Sequence, residues 1–190
     1  MQRQRTGDEH IVFDGMPTGY LLSDYWAWHA SDLLNNTMRG SFCEFIVSAA
    51  LGVDLTGVNE DWTPYDILMP GEPDVRVEVK SSAYLQAWES GKLSSIQFSI
   101  RPTRAWSPES GYEDEIRRQS DVYVFCVYTE TDRSVADPLV LDGWAFYVVP
   151  TSRINAICGT QKTISFPALL MLEPIKADYS GIKAAVLASV

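Results

Sequence analysis

The sequence predicts an α/β sandwich, and three observations carry that reading. Two apolar stretches of helical period open the chain, the run VYVFCVY marks a strand buried on both faces, and alternating segments around it mark strands with one buried face. The first stretch, 21–34, reads as a helix that Ser23 or Asp24 caps. The second, 39–51, is a helix ended by Gly52. A loop at 52–63 leads to a β-hairpin, with strands at 65–69 and 75–80 around the turn sequence PGEPD. The segment SSIQFSIR, 94–101, buries Ile96, Phe98 and Ile100 on one face and forms a third strand. A short helix is expected at 113–119 and the doubly buried strand at 121–129. A strand at 144–149, a turn at Pro150, a short helix at 152–157 and a C-terminal helix from about Asp178 complete the order αα-βββ-α-ββ-α.

With 190 residues and no repeat, low-complexity tract or long linker, one domain over 1–190 is expected, with 1–18 as an N-terminal arm. A chain of this size buries roughly 70% of its unfolded surface and needs no disulfide or metal staple. Twenty-five acidic residues against 15 basic give a net charge of −10, which excludes a broadly basic nucleic-acid coat but not a local basic face. Cys43, Cys126 and Cys158 form no CxxC pair, and they read as reduced core thiols of a cytoplasmic protein. The start, MQRQRTGDEH, reaches acidic residues instead of an apolar stretch, and no later run approaches about eighteen apolar residues. Neither a secretion signal nor a membrane span is expected. Two histidines exclude a multi-histidine metal centre, and the absence of GxxxxGK[ST], GxGxxG and GxSxG disfavours nucleotide-loop and serine-hydrolase chemistry.

The most informative segment is Val75-Arg76-Val77-Glu78-Val79-Lys80. As a strand it sends the valines to the core and Arg76, Glu78 and Lys80 to the other face. A hairpin centred on Glu72 then sets Asp66 opposite Glu78. Two carboxylates so placed have Cβ atoms about 5 Å apart and repel unless something neutralises them. A divalent cation would do so, because Mg²⁺ takes one or two carboxylates and keeps several waters. Lys80, on the same face, would bring an ammonium beside the water and the scissile phosphate, an arrangement suited to metal-assisted phosphodiester hydrolysis. The same alternation also describes any half-exposed strand whose charges pair in solvent.

Glu44 is the lone charge in SFCEFIVSAALGV, and a carboxylate on so apolar a helix needs a partner. Two partners suit it equally. One is the metal site; the other is the helix start, where Ser41 and Glu44 have capping-box spacing.

An acid on a core helix, an aspartate at a strand start and E-x-K on the paired strand resemble the PD-(D/E)XK nuclease superfamily over residues 36–130. The proline and aspartate are not adjacent, since Pro64 and Asp66 flank Tyr65. The resemblance implies a restriction-endonuclease-like three-layer sandwich with a central mixed sheet flanked by helices. It further implies that Asp66 and Glu78 ligate Mg²⁺, or Mn²⁺ in its place, together with the Val79 carbonyl. Lys80 would orient or activate water, and Glu44 would hold a water or a second metal. The implied activity is DNA endonuclease action in restriction, phage defence or repair, with homodimers as one implied assembly. RNA or branched DNA are equally compatible substrates, and the reading from another class is a catalytically inactive nuclease-fold module that binds nucleic acid or protein.

Gln97, Lys92, Arg101 and Arg104 surround the third strand as candidate nucleic-acid contacts, with Arg117 and Arg118 ahead of the buried strand. Trp88 and Trp106 bracket the same region and are the tryptophans to test for base stacking. Charge is unevenly spread. Residues 54–74 hold six acids and no Lys or Arg, whereas 76–104 hold five basic residues and two acids.

Overall fold

The computed structural model describes residues 3–59, 63–88, 91–107 and 111–190. In chain order the strands and helices are β1 (His10–Phe13), β2 (Met16–Leu21), α1 (Leu22–Ala30), α2 (Asn36–Leu51), β3 (Ile67–Met69), β4 (Val75–Ala83), β5 (Gln97–Ser99), β6 (Thr103–Ser107), β7 (Gly111–Arg117) and β8 (Val122–Tyr128). There follow β9 (Trp144–Pro150), α3 (Thr151–Cys158), β10 (Thr163–Ser165), α4 (Phe166–Leu170), β11 (Ile175–Ala177) and α5 (Ile182–Leu187).

A mixed five-stranded sheet in the order β11-β9-β8-β4-β3 organises the molecule, with β4 and β8 parallel and the other neighbours antiparallel. All seven β8 side chains are buried, as the apolar run predicted. Alternation divides them between two cores. Val122, Val124, Cys126 and Tyr128 join the β4 valines, α2 and α5 on one face, while Tyr123, Phe125 and Val127 meet β5, α3, β10 and α4 on the other. The fold is therefore mixed α/β with helices on both faces of the sheet. Cys43, Cys126 and Cys158 are buried free thiols. Among the described residues no helix is long and apolar enough to cross a membrane.

Several elements depart from expectation. The N-terminal arm is not featureless: β1 and β2 pair as an antiparallel hairpin. Asp14 and Gly15 turn it with φ of +49° and +76°, the positive values that Asp-Gly supplies in a two-residue hairpin loop. Helix α1 stops at Ala30 instead of Leu34, because Asp32 Oδ1 accepts from the Leu34 N–H and the chain turns. Asp24 serves its start, accepting from the Leu21 N–H at 2.7 Å. Helix α2 begins at Asn36, capped by Asn35 Oδ1 on the Thr37 and Met38 N–H groups, and ends at Gly52 with φ +77°.

The segment expected as a helix at 113–119 is instead the strand β7, drawn into an antiparallel pair with β6. Its charged composition suggested a helix; its cross-strand partners, such as Trp106 opposite Tyr112, decide otherwise. The expected third strand is shortened to Gln97–Ser99 and does not extend the central sheet. It pairs with β10, a strand 66 residues further on that no local pattern announces, while Ile96, Phe98 and Ile100 are buried as expected. At the C-terminus Asp178 caps a 3-10 turn, so the helix proper starts at Ile182.

Candidate active site

The hairpin adopts the register centred on Glu72: Ile67 faces Val77, Leu68 faces Arg76 and Met69 faces Val75. Asp66 lies just outside β3, and its N–H donates to the Val77 carbonyl at 3.2 Å, one residue off the ladder's register, so the backbone bulges there and the regular pairing stops at Ile67. Beyond that point a side chain replaces the partner strand. Asp66 Oδ2 accepts the Val79 N–H at 2.7 Å, where a third backbone acceptor would otherwise stand. Within a strand the N–H and C=O of one residue point to the same edge, so the Val79 carbonyl shares the edge that the Asp66 carboxylate occupies.

Lys80 ties the two acids together. Its Nζ lies 2.7 Å from Glu78 Oε1 and 3.4 Å from Asp66 Oδ2. Glu78 Oε2 accepts from the Ser120 hydroxyl at 2.9 Å. Sequence reasoning missed Ser120, and no local pattern marks it; it arrives through the parallel pairing of β8 with β4. Burial pushes the Glu78 carboxyl above its ordinary range; Lys80 pulls it back, Asp66 adds repulsion, and the net direction is upward. Burial alone would weaken the Lys80 ammonium, but Glu78 and Asp66 outweigh it and raise the group, so Lys80 keeps its proton at neutral pH. It is placed to donate, not to act as a base.

Glu44 does not cap its helix. The helix starts five residues before Ser41, at Asn36, with Asn35 as the cap, and Ser41 is an exposed residue of the second turn. Half-buried Glu44 instead borders, with Asp66, Ser41 and Ser48, a cavity of about 460 Å³. Among the described residues no three Asp, Glu, His or Cys side chains converge as a metal-holding group. Two carboxylates, Asp66 and Glu78, with the Val79 carbonyl at the same edge, are a donor set of the size that Mg²⁺ takes with its waters.

The candidate nucleic-acid contacts divide among three places. Gln97 is exposed at a polar cavity by the end of β4, and Lys92 borders a smaller one beside Trp88 and Arg133. Arg101 and Arg104 are exposed and line, with Lys162 and Tyr112, an open groove of about 1000 Å³. Arg117 is engaged by Glu115 at 3.3 Å. Arg118 does not follow a phosphate backbone: it is 5% exposed, and its guanidinium donates to the carbonyls of Ile100, Gly159 and Gln161 and to Asn155 Oδ1. It staples three loops. Trp88 is 56% exposed, whereas Trp106 is half-buried across from Tyr112.

Comparison with known proteins adds one result. The model of a family described as bacteriophage T4 endonuclease IV matches residues 18–163, more than half of the chain and all of the β3–β4 site. Neither a curated protein nor a solved structure matches.

Proposed function

Because this chain belongs to the bacteriophage T4 endonuclease IV family, we propose that it is an endonuclease that hydrolyses DNA with Mg²⁺ held by Asp66 and Glu78. The observation that carries the reading is the convergence of Asp66, Glu78 and Lys80 just before β3 begins. We further assign the site to the PD-(D/E)XK type, with a restriction-endonuclease-like core and a cytoplasmic role in restriction, phage defence or repair.

Asp66 and Glu78, with the Val79 carbonyl, would hold the ion. When bound, Mg²⁺ supplies Lewis-acid stabilisation of phosphate charge and lowers the pKa of water. The remaining work falls to the chain. Lys80, protonated between two carboxylates, donates toward a phosphate oxygen and stabilises the charge that develops on it. Ser120 fixes one Glu78 oxygen, which leaves the orientation of the other defined. Glu44, on the wall shared with Asp66, positions water at the approach to the phosphate.

Nicking of supercoiled plasmid in Mg²⁺ tests this. Wild type should nick, and Asp66→Ala and Lys80→Ala should each lose about 10³-fold in rate. Equal nicking by all three proteins would sink the assignment, as would a wild type that leaves DNA intact.

A further inference from the structure

Two buried side chains at the end of β4 carry polar atoms with no use in the site described above. Arg39, on α2, is 3% exposed. Its Nη1 donates to the Leu34 carbonyl and its Nη2 to Asn36 Oδ1, but its Nε has no partner and, among the described residues, no carboxylate pairs with it. A guanidinium stays charged under all ordinary conditions and carries five N–H donors. Burying one without a counter-charge is costly. Gln86, 8% exposed, shows the complementary defect: its Nε2 donates to the Ala83 carbonyl, while its buried Oε1 has no donor among the described residues.

Both residues line one polar cavity of about 550 Å³, together with Ser81, Ser82, Gln97 and the exposed ring of Trp88. The volume is that of a small-ligand site. The cavity also adjoins the chemistry. Ser82 stands two residues beyond Lys80 on the same strand face, about 7 Å along β4. What would satisfy the lining must bring an anion for Arg39, an N–H for the Gln86 oxygen and a flat surface for Trp88. Inorganic phosphate offers only the first of these, and a nucleotide offers all three.

We propose that this cavity binds one nucleotide of the strand being cleaved, its phosphate on the Arg39 guanidinium and its base against Trp88 and Gln86. The proposal rests on the nuclease reading and extends it to a subsite next to the cleavage point. Arg39 thereby serves as a positioning residue: it holds the strand and touches no reacting atom. Stacking on the tryptophan tolerates any base, whereas the amide oxygen favours bases with an N–H at that edge.

The test uses fluorescein-labelled oligonucleotides, with Ca²⁺ in place of Mg²⁺, and reads binding by anisotropy. A single neutral methylphosphonate is walked across the phosphates flanking the cleavage point, and a single abasic residue is walked in parallel. For wild type, one methylphosphonate position should weaken binding about tenfold, and Arg39→Gln should be insensitive at that position alone. An adjacent abasic position should weaken wild type and leave Trp88→Ala unaffected; because Trp88 is exposed, this arm holds even if Arg39→Gln does not fold. Cleavage of the unmodified oligonucleotide in Mg²⁺ is followed alongside. Cleavage by wild type with no position coupled to Arg39 or Trp88 overturns the subsite alone. No binding and no cleavage overturns the subsite and the nuclease reading together.

Discussion

The charged stretch of β4, 75–80, has one pattern throughout, valine alternating with a charged residue, yet its two halves are paired differently. In the first half β3 runs alongside, and Arg76 closes on Asp121 through its N–H, Nε and Nη2 at 2.9, 3.0 and 2.6 Å. In the second half β3 no longer runs alongside, and a carboxylate takes the place of a strand. Glu78 and Lys80 find each other and Asp66. Two buried arginines repeat the contrast. Arg118 bonds to four oxygens and acts as a staple, whereas Arg39 keeps an unpartnered nitrogen beside a cavity. The two arginines are alike in charge and burial, and completeness of pairing is what separates them.

The sharpest way to break this comparison is to truncate one cation in each half. Lys80→Ala should lose about 10³-fold in nicking rate with its melting temperature nearly unchanged, since the half-buried pairs it leaves are two carboxylates that Mg²⁺ can neutralise. Arg76→Ala should do the reverse, nicking at a rate within about tenfold of wild type but melting earlier. If the two variants behave alike, the halves are not functionally distinct.

Next in size is Arg118→Met, which keeps volume and removes every donor. It should cost about 3 kcal/mol, read from the urea midpoint, because the buried Ile100 carbonyl and the part-buried Gly159 and Gln161 carbonyls lose their partner. A midpoint equal to that of wild type would mean that those carbonyls find water.

Mg²⁺ itself should distinguish the halves. At about a hundred times its Kd the ion should raise the melting temperature by about 5 °C in wild type and in Asp121→Asn, and not in Asp66→Ala. Equal shifts in all three would place the ion elsewhere.

The smallest effect concerns the Arg76–Asp121 pair, whose side chains are 38% and 34% exposed and so are screened by solvent. Hydrogen bonding from Arg76 holds the Asp121 carboxyl below its ordinary 3.8. The folded state therefore favours the ionised form. The pair's contribution is complete above pH 3.8 and is lost as the pH falls through the lowered value. The melting-temperature gap between wild type and Asp121→Asn should hold at higher pH and close below that point. A gap that persists undiminished in strong acid would show that the asparagine variant suffers from something other than lost charge.

Much of the fold was legible because its signals are local. The unbroken run at β8, the alternation in β4, the Gly52 stop and the register around Glu72 depend only on side-chain period and turn length, and each appears where expected. The Asp14-Gly15 turn was equally local and was overlooked. The helix expected at 113–119 failed for another reason: a charged, weakly periodic segment carries no decisive preference of its own, and pairing with β6 settles it. The site divides along the same line. Asp66, Glu78 and Lys80 follow from one hairpin, whereas Ser120 and Arg39 come from segments remote in sequence.

The sequence by itself determined which residues alternate, where the buried strand lies, and that two carboxylates and a lysine meet across the β3–β4 hairpin. Those are consequences of strand periodicity and a short loop, and both act over a few residues. Only the tertiary structure decided that Ser120 steadies Glu78, that Arg118 is a staple, that Glu44 borders a cavity instead of capping its helix, and that Arg39 is buried with no counter-charge among the described residues. Each of these depends on partners brought together from distant parts of the chain, and a buried polar group gains or lacks its bonds only once that packing is complete.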